Sequence, residues 1–166
     1  IRLHAYTLYA FDDKVDSYYS NTSYFEGTLK GGFEYGGGLE YMLHAAYGIE
    51  FTYLRLDSKA PMTYYDNGAR SAEFDIASNY LMLGGNRYLV MGPKVEPYAG
   101  LQLGMGIFNV ENPETGNSGT ATKFAWGIKA GVNIWASERV GIIMQAGLLS
   151  AVQSVGGGVY FGTGGA

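Results

Sequence analysis

Residues 123–135, Lys-Phe-Ala-Trp-Gly-Ile-Lys-Ala-Gly-Val-Asn-Ile-Trp, alternate almost without error. Side chains in a strand repeat every two residues, so Phe124, Trp126, Ile128, Ala130, Val132 and Ile134 share one face. Lys123, Ala125, Gly127, Lys129, Gly131 and Asn133 share the other. A soluble sandwich would bury the bulky apolar set and show water a face of glycine and charge, which is too small to serve as a wet exterior. The pattern favours the inverse arrangement, with the apolar face against lipid and the small polar face lining a closed barrel.

Eight segments carry strand character, near 1–11, 31–42, 46–57, 73–91, 95–109, 122–135, 139–150 and 154–164. Phe33, Tyr35, Leu39 and Tyr41 oppose Gly32, Glu34, Gly36, Gly38 and Glu40. Tyr47, Ile49, Phe51 and Tyr53 oppose Gly48, Glu50 and Thr52, and the fifth, seventh and eighth segments repeat the rule. The first is mixed, with Tyr6 and Leu8 on the side of Arg2 and His4. The fourth is long and sets Leu81 and Leu83 where polar residues are expected, so Gly84-Gly85 reads as a bulge that resets the register.

Residues 12–30, 58–72 and 110–121 read as long polar loops, and the links near 43–45, 92–94 and 136–138 as short turns. Long loops at one end and tight turns at the other are what outer-membrane barrels show, with the turns and both termini periplasmic. The 15 Tyr, 8 Phe and 2 Trp suit interfacial girdles. Tyr41, Tyr47, Tyr98 and Trp135 are expected at the turn end, and Tyr9, Phe11, Tyr53, Phe74, Phe124 and Trp126 towards the loops. No apolar run approaches the roughly 18 residues of a membrane-spanning helix, which says little about strands. The chain reads as one barrel domain, 1–166, with Ile1-Arg2-Leu3-His4 already strand, so a mature form whose leader has been removed is expected.

A net charge of −4 without a basic run argues against nucleic acid as a partner. Cysteine is absent, which removes disulfides and thiolate metal sites. His4 and His44 form no catalytic pattern with a serine or carboxylate, so neither a catalytic group, a cofactor nor a metal is expected. The cluster Asp12-Asp13-Lys14-Val15-Asp16 lacks an EF-hand spacing and reads as solvated loop, and Asn21-Thr22-Ser23 as a chance sequon.

The inward parity also collects charge: Arg2, Glu34, Glu40, Glu50, Asp75 and Lys129. An eight-stranded barrel is only wide enough inside for side chains, so these groups are expected to pair. Antiparallel neighbours put Arg2 near Glu40, while Lys129, across the barrel, reaches Glu34 or Glu50. At the loop end Arg55, Lys59 and Arg70 are candidate contacts for lipopolysaccharide phosphates.

Pro97-Tyr-Ala-Gly-Leu-Gln-Leu-Gly-Met-Gly106, following Leu81-Met-Leu-Gly-Gly-Asn-Arg-Tyr88, resembles a strand pair of the outer-membrane β-barrel domain family, which includes small OmpA-, OmpX- and OmpW-like barrels. The hairpins Trp126–Gly141 and Gly37–Tyr53 are similar to others of that family, and together these stretches cover about half the chain. The resemblance implies an eight-stranded antiparallel up-and-down transmembrane barrel in the outer membrane. Such chains usually end on an aromatic residue, whereas here Phe161 is followed by Gly-Thr-Gly-Gly-Ala166. The expected role is non-enzymatic, a structural or accessory subunit of an envelope complex with a filled lumen. Its expected partners are outer-membrane lipid, lipopolysaccharide and other outer-membrane or periplasmic proteins. The alternative is a narrow channel or lateral uptake route for small apolar molecules; a lipid A enzyme and a soluble ligand-binding barrel rank below it.

Overall fold

Period-two alternation produces strands throughout the described chain. The structure, a computed structural model, describes residues 1–11, 13–19, 23–29, 31–65, 69–89, 91–111 and 118–152. These hold β1 (Arg2–Ala10), β2 (Asp13–Tyr19), β3 (Ser23–Leu29), β4 (Gly32–His44), β5 (Tyr47–Tyr65), β6 (Ala69–Tyr88), β7 (Val95–Glu111), β8 (Ser118–Trp135) and β9 (Gly141–Val152). β1, β4, β5, β6, β7, β8 and β9 follow one another in an antiparallel up-and-down sheet. The segment expected as the last strand, 154–164, lies outside the described residues.

Two of the three expected loops are strand over much of their length. Residues 13–19 and 23–29 form β2 and β3, which pair antiparallel, and β3 pairs with β5 through Phe25↔Tyr64, Glu26↔Thr63 and Gly27↔Met62. β5 therefore pairs with β4 up to Leu56 and with β3 beyond it. Residues 58–65 and 69–72 prolong β5 and β6. The polar residues there hide the strand-forming Thr63-Tyr64-Tyr65 run, which keeps pairing after the apolar band ends. β7 and β8 likewise extend to Glu111 and from Ser118. The Asp12–Asp16 cluster and the Asn21 sequon fall on residue 12, residues 20–22 or side chains outside the description.

The expected bulge at Gly84-Gly85 is absent: the β5–β6 ladder runs without a shift from Tyr47↔Arg87 to Tyr65↔Ala69. The irregularity falls instead at Met42/His44, beside the tight turn at 45–46.

The side chains take the inverted arrangement. Leu3, Phe33, Leu39, Ile49, Phe51, Leu83, Leu101, Leu103, Phe124, Ile142 and Met144 are all exposed on the convex face. Glu40, at 0% exposure, and Glu50, at 1%, lie on the concave face. On β1 the outward row runs from Ile1 to Phe11. At about 3.3 Å per residue and a tilt of about 40° that row spans about 25 Å, the height of an outer-membrane apolar band. Two expected girdle residues face the wrong way for that role. Tyr98 is buried on the concave face, and Trp135 packs its ring 5.0 Å from the Arg2 guanidinium. The Phe74 side chain lies outside the described residues.

Candidate functional site

The concave face gathers a polar network at the turn end and an apolar layer beyond it. Glycine at the inward positions makes this possible. A Cβ on Gly48 would run into the Glu40 carboxylate, and one on Gly38 into that of Glu50. Removing those side chains opens the space in which two carboxylates lie side by side.

Arg2, at the mouth, lies between the rings of Tyr88 and Trp135, 4.8 and 5.0 Å from their centroids. It pairs with Glu96 through contacts of 3.1 and 3.2 Å. Deeper in, Glu40 accepts the Tyr88 hydroxyl at 2.7 Å and the Asn86 amide at 2.8 Å, with His4 Nε2 3.3 Å away. Asn86 Nδ2 also donates to Glu50 at 2.8 Å, so one amide joins the two carboxylates. Glu50 further accepts the Tyr6 hydroxyl at 2.6 Å and the Lys129 ammonium at 2.5 Å. Charge-assisted bonds of this kind are the strong ones, and Glu50 accepts from three donors. Tyr98 donates to Gln145 at 2.6 Å beside them.

Tyr6 also joins this network to an apolar layer with Leu54, Met82, Ala125 and Leu149. Met82 and Ala125 are both at 0% exposure. Thr52, the register partner of Met82, is buried beside it at 3% exposure, so the layer is apolar apart from that hydroxyl.

The residues expected as a lumen charge network divide into three groups. Glu40, Glu50 and Lys129 are brought together. Arg2 has Glu40 as its register partner, but its side chain pairs with Glu96 and leaves Glu40 to His4, Asn86 and Tyr88. Glu34 is buried at 2% exposure between Leu8 and Leu56 on the neighbouring strands, and no hydrogen bond or ion pair to it is found among the described residues. Asp75 does not belong to the network. It is exposed on the convex face opposite Lys59, because the inward row of β6 holds Ile76, Ser78, Tyr80, Met82, Asn86 and Tyr88. Asp75→Ala is therefore expected to shift unfolding by no more than about 0.5 kcal/mol, the usual range of a surface change, when measured by urea titration.

Of the candidate lipopolysaccharide contacts, Arg55 is committed to Asp57 on its own strand at 2.8 Å, with Tyr35 and Tyr53 nearby on the convex face. Lys59 is exposed, and the Arg70 side chain lies outside the described residues. Sequence reasoning missed Tyr6, Asn86, Tyr88 and Glu96. Glu96 had a signal, since it sits two residues before Tyr98 on the inward parity of β7.

Among the described residues no group of three or more His, Cys, Asp or Glu side chains could hold a metal ion. The geometry defines a class: a curved antiparallel sheet with an apolar outer face and a salt-bridged, partly apolar concave side. No protein-family model matches the chain, and neither does any curated protein. Among solved structures the chain is similar to Ail, the attachment invasion locus protein of Yersinia pestis, at 14% identity and a TM-score of 0.48. That likeness covers 92% of this chain and 88% of the other.

Proposed function

We propose that this chain is a small, non-enzymatic outer-membrane β-barrel with a plugged lumen, serving as a structural or accessory protein of the cell envelope. The observation that carries the reading is the inversion of the sheet: exposed leucine, isoleucine and phenylalanine on the convex face, buried Glu40, Glu50 and Lys129 on the concave one. An exposed apolar surface of this extent is stable only against lipid or protein. In this reading the turns at 45–46 and 136–139 and the N-terminal end of β1 face the periplasm, and the expected last strand, 154–164, lies outside the described residues. Lipopolysaccharide and outer-membrane lipid are the surrounding partners, with Lys59 and Arg70 towards the lipopolysaccharide side.

The buried apolar layer of Leu54, Met82, Ala125 and Leu149 favours a sealed lumen over a channel. The test is membrane fractionation with gel mobility before and after boiling, joined to planar-bilayer recording. The expected protein is in the outer-membrane fraction, migrates faster unheated, and gives no regular current steps. A soluble, monodisperse chain without detergent would sink the barrel reading, and large regular steps would sink the plug. Uptake of small apolar molecules that depends on the chain would favour the lateral route instead.

A further inference from the structure

The convex face carries a groove of about 820 Å³ crossing β5 to β9 that the barrel reading leaves unexplained. Its floor follows one register row, Tyr47↔Arg87↔Ala99↔Ala130↔Ala146. Three alanines in line lower the surface there, while the next row, Leu101↔Ile128↔Leu148, stands as a wall. The row leaves the turn end obliquely. Tyr47 opens β5, Arg87 is one residue from the end of β6, and Ala146 is five residues into β9. Four strand spacings of about 4.8 Å make the row about 19 Å long. Running across strands tilted by about 40°, the row descends about 12 Å, the depth of one leaflet of an apolar band about 25 Å tall. In that reading the groove runs from the headgroup level down through the acyl region of one leaflet.

The low end of the groove bears a cation. Arg87 is exposed on the convex face with its guanidinium 5.7 Å from the Tyr47 ring, and no carboxylate pairs with it among the described residues. A cation at the rim of an apolar trough, held on an aromatic face, complements a lipid that is anionic at one end and greasy along its length. Water would not fill so apolar a lining.

We propose that this groove holds one anionic glycerophospholipid of the periplasmic leaflet, its phosphate on Arg87 and one acyl chain laid over Ala99, Ala130 and Ala146. The assignment to that leaflet rests on the reading that the turn end is periplasmic. The test reconstitutes the full chain in bilayers of phosphatidylglycerol and phosphatidylcholine, extracts it gently, and weighs it intact by native mass spectrometry. One retained phosphatidylglycerol per chain is expected, in preference to phosphatidylcholine. Losing one charge-assisted phosphate contact in Arg87→Gln should reduce that preference about tenfold. Ala130→Leu should displace both lipids by filling the floor, and as an outward leucine it keeps the apolar surface. Equal retention of both lipids, unchanged retention in both variants, capture of lipopolysaccharide instead, or a dimer seated over the groove would each overturn the assignment. Heat-modifiable mobility, measured on every variant, separates that failure from failure of the barrel reading, which alone would abolish it.

Discussion

Lys129→Met is expected to destabilise the folded chain by about 3–5 kcal/mol, because it leaves Glu50 buried without its cation. Glu50 is 1% exposed, and Lys129 is 5% exposed on the strand across the lumen. The hydroxyl of Tyr6 and the amide of Asn86 would still donate to the carboxylate, but two neutral donors do not offset a desolvated charge. The double variant Lys129→Met/Glu50→Gln removes both charges together and should recover most of the loss, since the desolvation cost belongs to the isolated ion and not to the site. Urea unfolding in lipid vesicles, with the shift in gel mobility as the readout, measures both. A single variant costing less than about 1 kcal/mol, or a double variant no better than the single, would mean that the pair contributes nothing to holding the lumen shut.

The Glu50–Lys129 pair was within reach of the sequence because β5 and β8 alternate cleanly: glycine, threonine and charge on one side, aromatic and branched residues on the other. Period two then fixes the face, and the narrowness of a small barrel brings opposite strands within side-chain reach. β6 offers no such contrast. Its outward row holds Asp75, Asn79, Leu81, Leu83 and Arg87, and its inward row holds Ile76, Ser78, Tyr80, Met82, Asn86 and Tyr88. Both rows mix polar and apolar residues, so alternation cannot choose between them. The choice is made by volume. On β7, a Cβ at Gly100 would meet the Asn86 amide and one at Gly104 the Met82 backbone, so the bare inward face of β7 receives β6 closely, and Met82, Asn86 and Tyr88 are buried there. Reading the row by its charge promoted Asp75 and hid Asn86, the residue that joins the two carboxylates.

The first partner of Arg2 was misread for a related reason. The register expectation was sound, since Arg2 does face Glu40, but a long side chain at a strand end is free to turn towards the mouth. There Tyr88, Trp135 and Glu96 offer two aromatic faces and a carboxylate together. Sequence spacing places a Cα; it does not choose among partners several strands away. The extended pairing of β5 and β6 beyond the apolar band was hidden by composition, because Asp, Ser, Asn and Lys in a strand beyond such a band look like loop. Their backbone bonds are nonetheless satisfied by the neighbouring strand.

Leu103→Arg should cost about 2–4 kcal/mol in a bilayer and almost nothing in water, which makes it the sharpest test of which face meets lipid. Leu103 sits midway along β7, 59% exposed on the convex face between Leu83 and Trp126 on the adjacent strands. In a barrel spanning the membrane that position is near the midplane, where a guanidinium has no partner and must drag water or headgroups inward. If the same face met solvent, exchanging a leucine for an arginine would be neutral and would raise solubility. Glu111→Arg, on the same outward row near the end of β7, is the depth control, because the cost of a lipid-facing cation falls to about 0–1 kcal/mol near the interface. Folding yield into vesicles and urea midpoints compared at the two positions read this gradient directly. A large cost at residue 103 beside a small one at residue 111 is the expected result. Equal costs at the two depths would remove lipid from the convex face, and with it both the plugged barrel and the phospholipid groove.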